Sequence, residues 1–403
     1  MRIAIVIWQI VTNGGSVRQA LELANSLQRL GHDVELVTYA FSKLHCYPEL
    51  TKSLKIYCAD SISMSQFFYN PSASIFVRIF GFFYNMFVAH IHTSAIKEKL
   101  LERNSFKQFD VVNYHDNGVI QLAKYFPRSK NIWMMNDPSS FIDTKEKDAS
   151  VYAKTSLISI LAYLESRYIN KLLRSIDRII VLDERNKSIV CKYYSREAHI
   201  VRSGVALCTT NKFSFRNKKN QVLRIMSTNI FFRHRRYEDL IEAIKIIVLR
   251  KNHPQFHVYI IGDPISDLGY YHEIRFSVSK YRLEKYITFL GKVSESELNE
   301  QYERADIFVF PNHNQTWGLS VFEAMLHGCA CIVSKTAGAH EVLKDGQNVL
   351  LIQPKKPLDL AEKLLLLLRS TTLRKSLAKE GFQFVQKNIS WDKYAKDMTV
   401  IFS

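Results

Sequence analysis

Glu323 is the one acidic residue of a segment that carries an apolar helical face. The stretch from 314 to 328 reads NQTWGLSVFEAMLHG, and its apolar residues recur at helical spacing around this acid. A carboxylate among residues that normally leave water on folding needs a partner, either a protein group such as a buried arginine or backbone amides, or a ligand. Gly318 lets the chain approach a ligand as the helix begins, and helix-tip amides favour a phosphate. Glu323 lies roughly 7 to 8 Å further along the axis, which suits a diphosphate at the tip and a ribose at the carboxylate.

The elements around this turn support that chemistry. The turn follows the apolar run DIFVFPN, and short apolar runs alternate with helical segments from residue 222 onward. The first 205 residues alternate in the same way, opening with IAIVIWQI, the turn TNGGS, a helix that ends near Gly31, and DVELVTYA. Such βαβ units give parallel sheets, which bind ligands beyond the carboxyl ends of their strands. We therefore predict an α/β fold with two doubly wound, Rossmann-like domains.

The predicted boundary between these domains is a polar and basic segment. Residues 208–221, CTTNKFSFRNKKNQ, show little periodicity and fit an interdomain linker. The N-terminal domain is then 1–207 and the C-terminal domain is 222–387.

Composition narrows the class of protein. The 403 residues are 47% hydrophobic and 23% charged, as in a globular protein. The net charge of +17 is spread evenly, with 26 Lys and Arg against 18 Asp and Glu up to residue 205, and 29 against 20 after it. This charge suits a phosphate-bearing partner, whether an anionic membrane, nucleotides or nucleic acid. Three features favour a cytoplasmic location. The six cysteines form no Cys-x-x-Cys pair, the sequence has no apolar run of about 20 residues, and its apolar start reads as a strand.

Several motifs that would imply other chemistry are missing from the sequence. It contains no Gly-x-x-x-x-Gly-Lys, Gly-x-Gly-x-x-Gly, Gly-x-Ser-x-Gly or His-Glu-x-x-His motif, and no Asp-x-Asp pair that could hold a nucleotide-bound metal. The two histidines of HIH at 90–92 are badly placed to share a metal ion. We therefore expect a site without metal.

The combined motifs resemble a known family. The block QTWGLSVFEAMLHG, followed by CACIVSKTAGAHEVLKDGQNVLLIQP, is similar to the donor-site signature of family 4 retaining glycosyltransferases of the GT-B fold, whose two domains face a central cleft. The NGG turn, YHDNG and IVRSGV extend the resemblance over the N-terminal domain. It implies that the first domain binds the acceptor, the second binds the nucleotide-sugar donor, and the helical end at 388–403 packs back on the first.

The resemblance also assigns roles to individual residues. The implied catalytic residues are His115 beside the transferred sugar, Arg235 at the diphosphate and Glu323 at the donor ribose. The implied donor-binding residues are Gly14, Gly15, Arg233, Arg236, Gln315, Thr316, Trp317, Gly318, Leu319 and Glu323. For Gly14 and Gly15 a plain turn, and for His115 a strand-end cap, are the alternatives from sequence alone.

Two positions depart from the family pattern. Gln315 stands where the family has its first glutamate. This replacement keeps a carbonyl, adds an amide donor and removes a charge. Asn229 falls near an expected arginine, while Arg235 aligns with the usual lysine, so Arg233 or Arg236 is a candidate substitute for the diphosphate. A solvated basic loop is the alternative for these arginines.

The resemblance implies a retaining, metal-independent glycosyltransferase in polysaccharide or glycoconjugate synthesis. A nucleotide diphosphate sugar would be its co-substrate and no further cofactor is expected. The acceptor would be a glycan or a lipid-linked glycan, with possible peripheral association to an anionic membrane at its inner face. The aromatic segment from Phe67 to Leu101 fits either core packing or interfacial docking. The alternatives are a nucleotide-sugar epimerase, a basic protein that binds nucleic acid or another anion, and a non-catalytic family member.

Overall fold

The chain forms two compact units in a computed structural model that describes residues 1–11, 13–44, 46–59, 75–139, 142–143, 156–206, 213, 215, 222–250 and 252–403. The first unit comprises Met1–Arg202 together with Trp391–Ser403, and the second comprises Ser203–Ser390. Except for Phe213 and Phe215, the predicted linker over 208–221 lies outside the described residues.

The first unit is built on a seven-stranded parallel sheet with the order β3-β2-β1-β4-β5-β6-β7. Strand β1, Arg2–Ile10, is apolar from Ile3 to Trp8, and Ile3 to Ile7 are buried because helices cover both faces of a parallel sheet. Its strands are β1 Arg2–Ile10, β2 Asp33–Phe41, β3 Lys55–Cys58, β4 Val111–Tyr114, β5 Lys130–Met134, β6 Arg178–Val181 and β7 His199–Ile200.

The helices of the first unit include the C-terminal one. They are α1 Gly15–Arg29, α2 Pro48–Thr51, α3 Ile75–Phe106, α4 Ser156–Leu172, α5 Glu184–Tyr194 and, from the end of the chain, α12 Trp391–Phe402. Helix α12 packs against α1, and the Tyr394 hydroxyl lies 3.7 Å from the Met134 sulfur. An exposed ion pair between Arg29 and Asp392 at 2.7 Å joins the same two helices.

The second unit is built on a six-stranded parallel sheet with the order β10-β9-β8-β11-β12-β13. The chain runs from β8 outward to β10 and then returns to the other side of β8 with β11. Its strands are β8 Leu223–Thr228, β9 Phe256–Ile261, β10 Ile287–Gly291, β11 Ile307–Phe310, β12 Ala330–Ser334 and β13 Leu350–Ile352. The reversal of strand order between β8 and β11 makes their carboxyl ends the expected ligand site of this sheet.

Within the described residues of the second unit, six α-helices flank this sheet. They are α6 Tyr237–Leu249, α7 Leu268–Lys280, α8 Glu295–Arg304, α9 Leu319–Leu326, α10 Pro357–Arg369 and α11 Thr371–Asn388. A capping box, in which Ser294 and Glu297 exchange hydrogen bonds, begins α8. Buried aliphatic residues of α6 and α10 join those of the strands in one core. The α/β class and the two parallel-sheet domains predicted from the sequence are confirmed.

The aromatic segment at 67–101 is only partly covered by the structure. Residues 60–74 lie outside the described residues, and α3 begins at Ile75. The second half of α3 packs on the first sheet, where Ile96 and Leu100 are fully buried. No helix within the described ranges combines the length and hydropathy that crossing a bilayer requires.

Candidate functional site

The turn between β11 and α9 has an unusual backbone conformation. Asn314, Trp317 and Gly318 have φ angles of +49°, +43° and +100°. A Cβ atom at Gly318 would lie 3.0 Å from the Phe310 ring, so both the backbone conformation and the contact with the strand favour glycine. The chain can therefore turn sharply at the end of β11 and begin a helix at Leu319.

A second loop holds this turn in place. The amides of Gly338 and Ala339 donate to the carbonyls of Gln315 and Trp317 at 2.8 and 2.7 Å. Trp317 is buried, and its Nε1 donates to the Ser203 carbonyl at 3.0 Å. The Val321 amide donates to the Gly318 carbonyl at 3.1 Å, whereas no earlier helical turn exists to accept from the amides of Leu319 and Ser320. They lie at the carboxyl edge of the sheet, where they can meet an anion.

Glu323 is half-buried on α9, one and a half turns beyond Gly318. Its Oε2 accepts a hydrogen bond of 3.1 Å from the hydroxyl of Tyr302, a buried residue of α8. The Tyr302 ring stacks on His327, with centroids 5.4 Å apart, so the hydroxyl is well fixed. A carboxylate accepts about four hydrogen bonds, and the Tyr302 hydroxyl supplies one of them. Tyr302 therefore orients Glu323 and leaves the carboxylate capacity to accept from a ligand.

Arg235 lies next to the turn. It ends a 3₁₀ turn over Arg233–Arg235 that follows β8. Its Nη1 donates to Oε1 of Gln315, and the Gln315 amide donates to the Thr316 carbonyl at 3.0 Å. Because Gln315 is neutral, it orients the guanidinium without cancelling its charge. A positive group is thus held beside the turn that begins α9.

The other two arginines of this loop pair with carboxylates. Arg233 is exposed and binds Glu273 through two hydrogen bonds of 2.8 and 2.5 Å, which raise its pKa. Arg236, with φ +56°, binds Asp239 at 2.6 Å and Glu238 at 2.5 Å. Both side chains are therefore engaged by acids of α6 and α7, whereas Arg235 meets an amide.

Sequence reasoning missed three residues that shape the site, namely Asn312, Gly262 and Tyr302. Asn229 and Asn312 join the carboxyl ends of β8 and β11 by amide hydrogen bonds of 3.2 and 3.0 Å. A Cβ at Gly262 would lie 1.8 Å from the Asn229 carbonyl, so a side chain there would displace the end of β8. Tyr302 is the third. A glycine or asparagine directly after an apolar strand was the available signal for the first two, whereas Tyr302 carried none.

The candidate residues of the first unit lie at the carboxyl edge of its own sheet. His115 follows β4 and is buried, and both of its ring nitrogens lack a hydrogen-bond partner in the part of the chain that the structure describes. Burial lowers the pKa of His115 to about 3, so its imidazole is neutral near pH 7. Gly14 is extended and precedes α1, and Gly15 is the first residue of that helix. Within the described residues, no group of three or more acidic, histidine and cysteine side chains could hold a metal ion.

Known families match nearly all of the chain. The model of Glycosyltransferase Family 4 matches residues 13–207, and that of Glycosyl transferases group 1 matches residues 209–384. An uncharacterized glycosyltransferase of Methanocaldococcus jannaschii is 24% identical over 100% of this chain and 98% of its own length. A second one from that organism is 28% identical over 54% of this chain, and the chain spans only 56% of that relative.

Solved structures share the fold over the whole chain. Sucrose-phosphate synthase from Thermosynechococcus elongatus has a TM-score of 0.76 at 17% identity, covering 100% of this chain and 98% of that one. Anabaena HepE in complex with UDP-glucose has a TM-score of 0.71 at 13% identity, covering 100% and 99%. Together, the two parallel-sheet units and the matched models define a glycosyltransferase with the GT-B fold. The chain belongs to glycosyltransferase family 4.

Proposed function

We propose that this protein transfers a sugar, with retention of its anomeric configuration, from a nucleotide diphosphate sugar to a glycan or lipid-linked acceptor. The observation that carries the proposal is the arrangement on one turn of the second unit. A glycine-initiated helix, an arginine oriented by an amide and a half-buried glutamate all lie where the strand order of the sheet reverses.

Each group on this turn suits one part of the donor. The amides near Leu319 suit the diphosphate, because the helix dipole and their open hydrogen bonds favour an anion. Arg235 adds a full positive charge, and a guanidinium can bind a phosphate through two hydrogen bonds. Glu323 suits the paired hydroxyls of ribose. A related fold that holds UDP-glucose supports this class of donor.

Gln315 has a role inside the protein in this proposal. Its carbonyl accepts from Arg235 and its amide donates to Thr316, so both ends of the side chain have protein partners. We assign Gln315 to orienting Arg235. This role accounts for transfer without a carboxylate at position 315.

The reaction needs stabilisation of a departing nucleoside diphosphate. Helix-tip amides and Arg235 stabilise the negative charge that develops as the bond between the anomeric carbon and the phosphate oxygen breaks. The acceptor hydroxyl attacks from the same face, and its proton passes to an oxygen of the leaving phosphate. The neutral imidazole of His115 can exchange hydrogen bonds with a sugar hydroxyl without carrying charge. No step in this proposal uses a metal ion.

The acceptor completes the proposal. The net charge of +17 suits an acceptor carried on an anionic membrane, and a lipid-linked glycan meets that condition. We therefore propose a protein that acts at the inner face of a membrane without a spanning helix of its own in the described ranges.

Glu323→Ala tests the donor site. The protein is screened by thermal shift and calorimetry against UDP, GDP and ADP and their sugars, and the best ligand is then titrated into the variant. We expect affinity for that ligand to fall roughly 100-fold, as when one strong charged hydrogen-bond pair is lost from a site. Glu300→Ala, an exposed glutamate of α8, is the matched control and should bind normally.

Product analysis tests the reaction itself. With an accepting glycan, NMR of the product should show the anomeric configuration of the donor sugar. Inversion, or release of an isomerised nucleotide sugar without an acceptor, would replace this proposal with another reaction. Equal donor affinity of Glu323→Ala and wild type would remove the site.

A further inference from the structure

Helix α4 exposes an apolar and aromatic face. Ile160, Tyr163, Leu164 and Tyr168 are each between 53% and 57% exposed. Their spacing of three and four residues places them on one side of the helix. The opposite side packs on the first unit, where Ala162 and Ile169 belong to the core. Helix α4 is therefore apolar on both sides, which a helix with one side in water does not need.

Positive charge accompanies this face. Arg167 and Lys171 are exposed on the same side of α4, and Arg174 follows in the next turn. The Arg167 guanidinium donates to the Tyr163 hydroxyl at 3.2 Å. The acid of this helix, Glu165, is half-buried and accepts from the Ile142 amide at 3.2 Å. The outward charges of α4 are thus cationic. We call Ile160, Tyr163, Leu164, Arg167, Tyr168 and Lys171 the α4 stripe.

A neighbouring turn repeats the combination of tyrosine and lysine. The 3₁₀ turn over Asn117–Tyr125 packs against both α3 and α4. Its exposed Tyr125 has the ammonium groups of Lys97 and Lys124 at 5.5 and 5.0 Å from the ring centroid. Glu98 and Glu102 are exposed on α3, and Glu102 pairs with Lys99 at 2.8 Å. Tyr125 and its two lysines therefore add a second aromatic and basic group beside α4, while Glu98 is an exposed acid of α3.

We propose that the α4 stripe docks the first unit on an anionic lipid bilayer. Tyrosine suits the boundary between headgroups and acyl chains, because its ring is apolar and its hydroxyl is polar. Each basic residue near such a surface adds electrostatic attraction to the anionic headgroups. The apolar side chains between the cations can be buried among the acyl chains of a bilayer, whereas free nucleotides and sugars offer no comparable apolar phase.

Charge separates this partner from a second copy of the chain. A two-fold interface would place the α4 stripe against itself. Arg167 and Lys171 would then face the same cations of the other copy, which is repulsive. An anionic bilayer presents the opposite charge over a wide surface. This inference rests on the proposed function to the extent that a lipid-linked acceptor gives membrane docking its purpose.

Vesicle flotation of the full chain tests the inference. The wild type is mixed with vesicles of phosphatidylcholine alone or with added phosphatidylglycerol, at low and high salt. We expect flotation with the anionic vesicles and less of it at high salt. The double variant Leu164→Ser and Tyr168→Ser should lose about tenfold or more in partitioning, because two exposed apolar groups no longer enter the interface. Arg167→Gln with Lys171→Gln should remove most of the salt dependence.

The matched control is Phe276→Ser in the second unit. Phe276 is also a largely exposed aromatic residue and follows Arg275. Its replacement therefore tests whether losing any exposed aromatic side chain beside a cation reduces flotation. This control should float like wild type. Thermal unfolding should be unchanged in all variants, because the substituted side chains are exposed.

Several outcomes would overturn the inference. The first is that the double variant of Leu164 and Tyr168 floats as well as wild type, and the second is that wild type binds neutral and anionic vesicles equally. The third is a dimer, seen by light scattering in wild type and abolished in this variant. The fourth is that the α4 stripe binds RNA and not vesicles. Nucleotide binding and donor hydrolysis are measured on the same proteins. If vesicle binding is absent while nucleotide binding and donor hydrolysis are present, only the docking inference is wrong. If nucleotide binding and donor hydrolysis are absent while vesicle binding is present, the proposed function is wrong.

Discussion

The two units contain the same strand-turn-helix arrangement in two different forms. In the first unit, β1 leads through Gly14 into α1. Gly14 has an extended φ of −166°, and among the described residues no neighbouring atom lies within 4 Å of where a Cβ would stand. In the second unit, β11 leads through Gly318 into α9, with a positive φ and the Phe310 ring at 3.0 Å. One glycine leaves open space, and the other fits a conformation that other residues avoid.

The surroundings of the two turns differ in the same way. The second turn has two backbone hydrogen bonds to Gly338 and Ala339 and a buried tryptophan. The first turn accepts a long hydrogen bond of 3.4 Å from the Tyr47 hydroxyl at the Gly14 carbonyl. A tightly fixed turn can present amides to a ligand of constant shape such as a diphosphate. An open one leaves room for a ligand of variable shape.

Replacing Arg235 and Arg233 in separate variants should give the largest difference in affinity for a nucleotide diphosphate. We expect Arg235→Ala to weaken nucleotide diphosphate binding roughly 30-fold, because a charge-assisted hydrogen bond to phosphate is lost. Arg233→Ala should change it less than about threefold, since that exposed side chain pairs with Glu273. Calorimetry with the diphosphate measures both. A larger loss in Arg233→Ala would show that the roles of the two arginines are reversed.

Acidification should affect the first unit through His115. Its pKa is about 3 in the folded state and about 6.5 unfolded, so the unfolded chain binds the extra proton between these values. Stability from this group is complete above pH 6.5 and is lost as the pH falls toward 3. By pH 5 the loss is about 2 kcal/mol.

The measurement compares His115→Leu with wild type. Urea unfolding at pH 7 and pH 5 should show that the variant loses about 2 kcal/mol less on acidification. The buried His92 remains in both proteins, so its contribution cancels. An identical pH dependence in the two proteins would mean that the pKa of His115 is the same in the folded and unfolded states.

Replacing Gly318 or Gly14 by alanine should give the smallest difference, measured as the free energy of unfolding. Gly318→Ala should cost about 1 to 2 kcal/mol, because alanine at positive φ is strained and its Cβ meets Phe310. Gly14→Ala should cost only about 0.5 kcal/mol, because the extended backbone with open space accepts alanine and the cost comes from alanine being a weaker N-cap than glycine. Urea unfolding gives both values. Similar costs would show that the two turns are equally constrained.

The sequence by itself determined the architecture and the position of the turn between β11 and α9. Apolar runs separated by amphipathic helices specify buried parallel strands because that periodicity allows few other structures. The acid at 323, the glycine at 318 and the strand before them could be assigned to one edge of a sheet, since strand direction fixes which loops meet there.

Only the tertiary structure decided which polar groups pair. The resemblance aligned Arg235 with the usual lysine, but no sequence pattern showed that Arg233 and Arg236 bind acids of α6 and α7 or that Arg235 meets Gln315, 80 residues away. The contact of Tyr302 with Glu323 and the burial of His115 likewise depend on elements distant in the chain. Hydrogen bonds act over about 3 Å, so partners are settled by packing, which local sequence patterns do not encode.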